Sequence, residues 1–236
     1  MATTLQQRLG AIRAAVREVP GVRPAARLVR RIPWQYREYP WLQWSTDEPE
    51  GAAERLRSSG YTFREGDGAD LDRLESEPTW RDCSLYRRML QEGRHLHLVE
   101  QRQKILSYFF LDFGRHCRTE QVPEIPLTLA PDACFGDEAY TLPPWRGRGI
   151  RRLAFLYELE VARRAGKRLV VTYYHGDRGV ALAAASLTRV GVTSPQRLCT
   201  VKSLQVAGTR HTWMTEAPDA PRERGLLPIA GPFTAG

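Results

Sequence analysis

The stretch with the most chemical content is Tyr140-Thr141-Leu142-Pro143-Pro144-Trp145-Arg146-Gly147-Arg148-Gly149-Ile150. A predicted strand, Ala133 to Leu142, stops at two prolines and gives way to a loop that alternates Arg and Gly. The loop opens into the strongest helical pattern of the chain, Ile150 to Ala165. The start of a helix leaves backbone N–H groups without partners and carries the positive end of the helix dipole. Glycines let a phosphate come close to those groups, so the geometry suits a diphosphate, with Arg146 and Arg148 adding charge. The prolines also remove donors from the strand, which favours its parting from a neighbour and leaving a wedge for an extended ligand. A P-loop is unsupported, because G-x-x-x-x-G-K-[ST] is missing, and so is an early dinucleotide-binding G-x-G-x-x-G.

The elements that must hold this loop alternate between strands and helices from about residue 60 onward. Tyr61 to Phe63 is a short strand candidate, and Ala69 to Glu77 and Leu85 to Gln91 are helix candidates. His95 to Val99 and Ile105 to Leu111 read as paired strands joined by a polar turn. In the long helix, Ile150, Leu153, Ala154, Leu156, Tyr157 and Val161 recur at helical spacing, and Gly166 ends it. Leu169 to Tyr174 has the continuous apolar character of a buried strand. Gly179 to Val190 is an Ala-rich helix closed by Gly191, and Leu198 to Val206 and Thr209 to Met214 are the last two strands. The prediction is an α/β (α+β) fold with a mixed, mostly antiparallel sheet flanked by helices.

The 236 residues carry a net charge of +8, with 42% hydrophobic and 26% charged residues, as expected of a globular chain. No apolar run is long enough for a membrane-spanning helix or an export signal, which points to a cytoplasmic protein. Cys83, Cys117, Cys134 and Cys199 form no C-x-x-C pair, so a zinc ribbon or redox pair is not expected. The positive charge is concentrated at one end, because residues 1–45 hold eight Arg against Glu18 and Glu38. An amphipathic helix is expected over residues 5–19, and a basic helix over Pro24 to Arg31. A cluster of Trp34, Tyr36, Tyr39, Trp41 and Trp44 follows. The expected division is a basic helical and aromatic extension over 1–50, a catalytic domain over 51–215 and a Pro/Gly-rich tail over 216–236. The extension suits packing on the main domain or a second subunit, a peripheral membrane contact through Arg and Trp, or RNA.

Residues Thr141 to Arg151 resemble the phosphate loop of the GNAT (GCN5-related N-acetyltransferase) superfamily, written [QR]-x-x-G-x-[GA] within V-x-P-x-x-R-G-x-G-I-G. Arg146 opens the motif, Gly149 holds its fixed glycine, and Arg151 stands at the last position in place of Gly or Ala. The resemblance covers about 150 residues and extends to the strand ending at Tyr174, the helix from Gly179 and Gly191-Val192. It implies a V-shaped opening between the family's fourth and fifth strands, with an acyl-CoA lying in it. Acetyl-CoA, or another acyl-CoA, is then the co-substrate, with no metal. Tyr140, Thr141 and Leu142 would offer backbone groups to the pantetheine arm and thioester. Arg146, Gly147, Arg148, Gly149, Ile150 and Arg151 would take the diphosphate.

On the same mapping the candidate bases are Glu138, on the strand, and His175, just after the next one. The family's frequent Tyr, four residues before the glycine that ends the last major helix, is Leu187 here. Tyr173 and Tyr174 are expected to pack, Cys134 to be a buried thiol, and the His95/His97 pair to have no metal. The expected activity is N-acetyl transfer to an amine, carrier-, peptide- or lipid-linked. Aminoacyl transfer from tRNA, or coenzyme A binding without turnover, remain alternatives on the same fold.

Overall fold

A computed structural model describes residues 34–47, 49–77, 83–117, 119, 127–206 and 209–217. The expected helices over 5–19 and 24–31 and most of the tail lie outside the described residues. One eight-stranded sheet runs through the molecule. Its strands are β1 (Trp34–Ser45), β2 (Thr62–Gly66), β3 (His95–Gln101), β4 (Lys104–Asp112), β7 (Ala133–Thr141), β8 (Leu169–Tyr173), β9 (Gln196–Val206) and β10 (Thr209–Glu216). Two short strands, β5 (His116–Cys117) and β6 (Leu127–Thr128), pair with each other. The helices are α1 (Ala52–Ser58), α2 (Gly68–Glu75), α3 (Ser84–Gln91), α4 (Ile150–Arg164) and α5 (Gly176–Thr188).

The spatial order is β10-β9-β1-β8-β7-β4-β3-β2, and every neighbouring pair is antiparallel except β7 with β8. The parallel pair joins by a crossover through α4, because parallel neighbours need a connection long enough to return the chain to the same end. Helix α4 lays Ile150, Ala154, Phe155, Leu159 and Ala162 on Leu106, Phe109, Leu111 and Cys134 of one sheet face. Helices α2 and α3 cover Leu96, Leu98, Tyr108 and Phe110 on the opposite face. Asp67 caps α2 by accepting from the amides of Ala69 and Asp70, and the Asp70 carboxylate accepts from the Asp67 amide in return. Along β1, β7, β8 and β9, Tyr39, Trp41, Phe135, Val171 and Val201 pack into a third cluster.

The aromatic segment expected to belong to an N-terminal extension is instead β1, a strand inside the sheet between β8 and β9. Trp41 is 0% and Trp44 1% exposed. Removing two indoles from water contributes on the order of 4–6 kcal/mol each before entropy, which outweighs any preference of this segment for an exposed arm. Helix α1, also unexpected, follows and packs Ala52 and Leu56 into the cluster beneath α4. The remaining expected strands and helices of the domain are present, with ends shifted by a few residues.

Candidate functional site

The pairing of β7 with β8 lasts for only three residues: Ala133 with Leu169, Cys134 with Val170 and Phe135 with Val171. Beyond them β7 stays bound to β4 as far as Thr141, and β8 stays bound to β1 as far as Tyr173. The two strands therefore part, and the backbone groups of β7 that point away from β4 face a gap. Gly136 sits at the fork. A Cβ there would collide with Oε1 of Glu158, a buried residue of α4, so any larger residue must displace that carboxylate. Just past the fork β7 carries a bulge, because Glu138 and Ala139 oppose the single residue Phe109 of β4. Glu138 has φ of 44°, a left-handed conformation that is uncommon outside glycine and turns the strand at this point.

Down the strand, the Arg/Gly loop begins as a single turn of 3-10 helix over Pro143–Trp145. Gly147 (φ 77°) and Gly149 (φ 78°) both take left-handed conformations, with Gly149 as the N-cap of α4. Among the described residues, the amides of Gly147, Arg148, Gly149, Ile150 and Arg151 meet no acceptor. Ile150 is buried and pins the helix start to the core. A cleft of about 410 Å³ opens beside this loop, lined by Thr141, Arg146, Gly149 and Arg151 on one side and by Leu182, Ser186 and Arg189 of α5 on the other.

The predicted cofactor residues do not all play the same part. Arg146 lines the cleft, donates from Nε to the Thr141 carbonyl at 3.0 Å and lies over the Tyr140 ring. Tyr140 accepts at its carbonyl from Ser107 Oγ, and Thr141 Oγ1 lies 3.1 Å from the same hydroxyl. Leu142 departs from expectation. Its amide donates to Leu106 and its carbonyl accepts from Trp145, so the sheet and the turn use both groups. Arg148 also departs: its guanidinium stacks on Trp145 at 4.8 Å, and it does not line the cleft. Arg151 lines the cleft and reaches back 3.4 Å to Glu158, whose carboxyl is pushed up by burial and pulled down by that guanidinium. The long side chain at the motif's last position thus has a buried carboxylate to hold it.

At the open end of the fork the structure assembles a group that sequence patterning missed. Asp137 is 4% exposed. Its carboxylate accepts from Arg94 Nη1 at 2.8 Å, from the Glu138 amide at 2.9 Å and from the Tyr173 hydroxyl. Burial and the neighbouring Glu138 push its pKa up to about 7 against the pull of Arg94. Asp137 belongs to β7 and Tyr173 to β8, so this hydrogen bond spans the gap. Tyr173, expected only to pack, also stacks on Phe135 and meets the His175 ring edge-on at 6.1 Å. The predicted base His175 caps α5 and is exposed, and its pKa is lowered by partial burial and by Arg37. Glu138, the other predicted base, is half-buried beside Asp137. An alternation count places Asp137 on the inward face of β7, but only the tertiary contact with Arg94, 43 residues away, marks it as ionisable and held.

Leu187 is buried in the core, so no hydroxyl stands at that helix position. The neighbouring Ser186 lines the cleft. Cys134 is a buried thiol, its pKa raised by burial. His95 Nδ1 lies 2.7 Å from Glu65 Oε1, while His97 is enclosed by Phe109 and Tyr157. Among the described residues no three His, Cys, Asp or Glu side chains are placed to hold a metal ion, and no helix is long and apolar enough to cross a membrane.

The fold so described is that of the GNAT acetyltransferases. The chain superimposes on the GCN5-related glucosamine N-acetyltransferase region of a fungal multidomain GH3 β-N-acetylglucosaminidase with a TM-score of 0.52, at 13% identity, over 78% of this chain and 23% of that one. Similarity to a GCN5-related N-acetyltransferase from Kribbella flavida is weaker, with a TM-score of 0.43 at 16% identity over 79% of this chain and 65% of that one. A tandem GNAT protein of the clavulanic acid pathway gives 0.45 at 15% identity, over 81% and 61%. This chain thus spans less than a quarter of the fungal protein. No family model matches the sequence, and no curated protein matches it.

Proposed function

We propose that the protein is an acyl-CoA-dependent N-acyltransferase, most simply an acetyltransferase, acting on a primary amine. The observation that carries this is the continuity of two features: a parted parallel strand pair and, at its outer end, five unpartnered amides beside an arginine-lined cleft. An extended thioester fits along the gap with its diphosphate on the amides, where the helix dipole and the arginines offset its charge. The free edge of β7 near the bulge can then donate to the thioester oxygen as it becomes an oxyanion.

In this reading the amine nitrogen attacks the thioester carbon, forming the C–N bond, and the C–S bond breaks as the intermediate collapses. Asp137 takes a proton from the attacking nitrogen. A carboxylate with pKa near 7 suits that task, because it is substantially ionised at neutral pH and still basic. Arg94, the Glu138 amide and Tyr173 fix its orientation. The protonated Asp137 can return the proton to the departing thiolate, which accounts for a site with Leu187 in place of a tyrosine. Glu138 and His175 lie at the rim, where they suit contact with the acceptor. Isothermal titration with acetyl-CoA, followed by thiol release in a panel of polyamines, amino sugars and peptide amines, tests this. Absence of acetyl-CoA binding defeats the reading.

A further inference from the structure

The cleft beside the phosphate loop holds more positive charge than a diphosphate requires. Two esterified phosphates carry two negative charges, and the cleft already holds Arg146, Arg151 and the unpartnered amides of Gly147, Gly149, Ile150 and Arg151 to meet them. Both of those arginines have internal partners, the Thr141 carbonyl and Glu158. Two further guanidiniums, Arg152 and Arg189, line the same cleft and meet no carboxylate among the described residues. By contrast Arg87 is held by Asp72 and Glu75, and Arg197, at the other end of α5, by Asp177. Arg152 lies over the loop, its Nη2 only 2.7 Å from where a Gly149 Cβ would stand. Arg189 closes α5, seven residues beyond Leu182 on the face that also carries Ala185 and Ser186.

A second observation points to an organic ligand in this place. Leu182 is 62% exposed and is the one large hydrophobic side chain in that condition among the described residues. It lines the same cleft, beside Ala185. An apolar step bordered by two unpaired guanidiniums is the complement of a flat heterocycle whose sugar bears a phosphate monoester. Such a monoester carries close to two negative charges at neutral pH and three acceptor oxygens, which match two cationic forks.

We propose that Arg152 and Arg189 form a subsite for a third phosphate, so that the cleft selects the 3′-phosphorylated adenosine end of coenzyme A over its dephosphorylated form. This rests on the acyl-CoA reading and adds a specificity that the loop amides alone do not supply. The test is isothermal titration of coenzyme A and of dephospho-coenzyme A into the wild-type protein, Arg152→Ala and Arg189→Ala. The expected result is an affinity for coenzyme A about 10- to 100-fold higher than for dephospho-coenzyme A, the range for charge-assisted hydrogen bonds to one phosphate. That ratio should shrink toward one in both variants, and because it is a ratio any loss common to the two ligands cancels. The dephospho arm reports on folding of the variants and on the diphosphate seat. Equal affinity of the wild type for the two ligands overturns the subsite and leaves the acyl-CoA reading intact. A ratio that survives both substitutions also overturns it. Failure of the wild type to bind either ligand removes the acyl-CoA reading itself, and the subsite with it.

Discussion

His97 makes the protein's stability depend on pH in a way that can be isolated. Its ring is 4% exposed, lies on Phe109 with centroids 5.1 Å apart and meets Tyr157 edge-on. Neither ring nitrogen has a hydrogen-bond partner among the described residues. Burial holds the neutral form and lowers the pKa from 6.5 to about 4. In the unfolded chain the ring takes a proton as pH falls through 6.5, while the folded protein resists until about 4. Stability is therefore lost over that window as the medium becomes acidic. Linkage gives about 2.5 kcal/mol lost between pH 7.5 and pH 4.5. Asp137 acts oppositely in the same range, because its folded pKa of about 7 stands above the ordinary 3.8, so its burial costs more as pH rises. The readout must therefore be a difference between two proteins. His97→Phe keeps an aromatic ring against Phe109 and removes the proton site. Urea denaturation of both proteins from pH 7.5 to 4.5 should show the variant gaining about 2.5 kcal/mol on the wild type as pH falls. A gap that does not change with pH would refute the assignment of an unprotonated, sealed imidazole.

Other consequences concern the site. Gly149→Glu should abolish the rise in thermal midpoint that coenzyme A gives the wild type, because the loop needs a left-handed residue there and the new carboxylate repels phosphate. Asp137→Asn should lower kcat by about 100- to 10,000-fold and flatten the fall of kcat on the acid side of pH 7, measured once an acceptor is in hand. Gly136→Ala should cost about 1–3 kcal/mol in chemical denaturation, because the new methyl collides with the Glu158 carboxylate.

The half of the sheet that carries the candidate site was legible because its signals are local. The periodicity of Ile150 to Val161 and the Arg-Gly alternation before it state where a helix begins and which conformations precede it. Pro143 and Pro144 state where β7 must end. The same kind of reasoning misplaced β1. An aromatic segment following seven arginines reads as an arm, and nothing near Trp41 in sequence reveals that its partners are Cys199 and Tyr173. Leu142 and Arg148 were assigned by motif position, whereas their roles are fixed by Leu106 across the sheet and by the ring of Trp145. Asp137 escaped notice because its chemistry is created by Arg94, Tyr173 and exclusion of water, none of which a one-dimensional pattern carries.

The place of β1 bears on how the polypeptide can be handled and how it comes together. Trp34 to Gln43 dock against Gln196 to Val206, at the other extreme of the chain. During synthesis β1 cannot pair with β9 until Gln196 to Val206 have left the ribosome, and such distant pairing slows assembly. A truncation made near residue 50 to discard the basic leader would delete the slat between β8 and β9. It would leave two raw edges ready to recruit another molecule. A shortened version for crystallisation or assay should begin before Trp34.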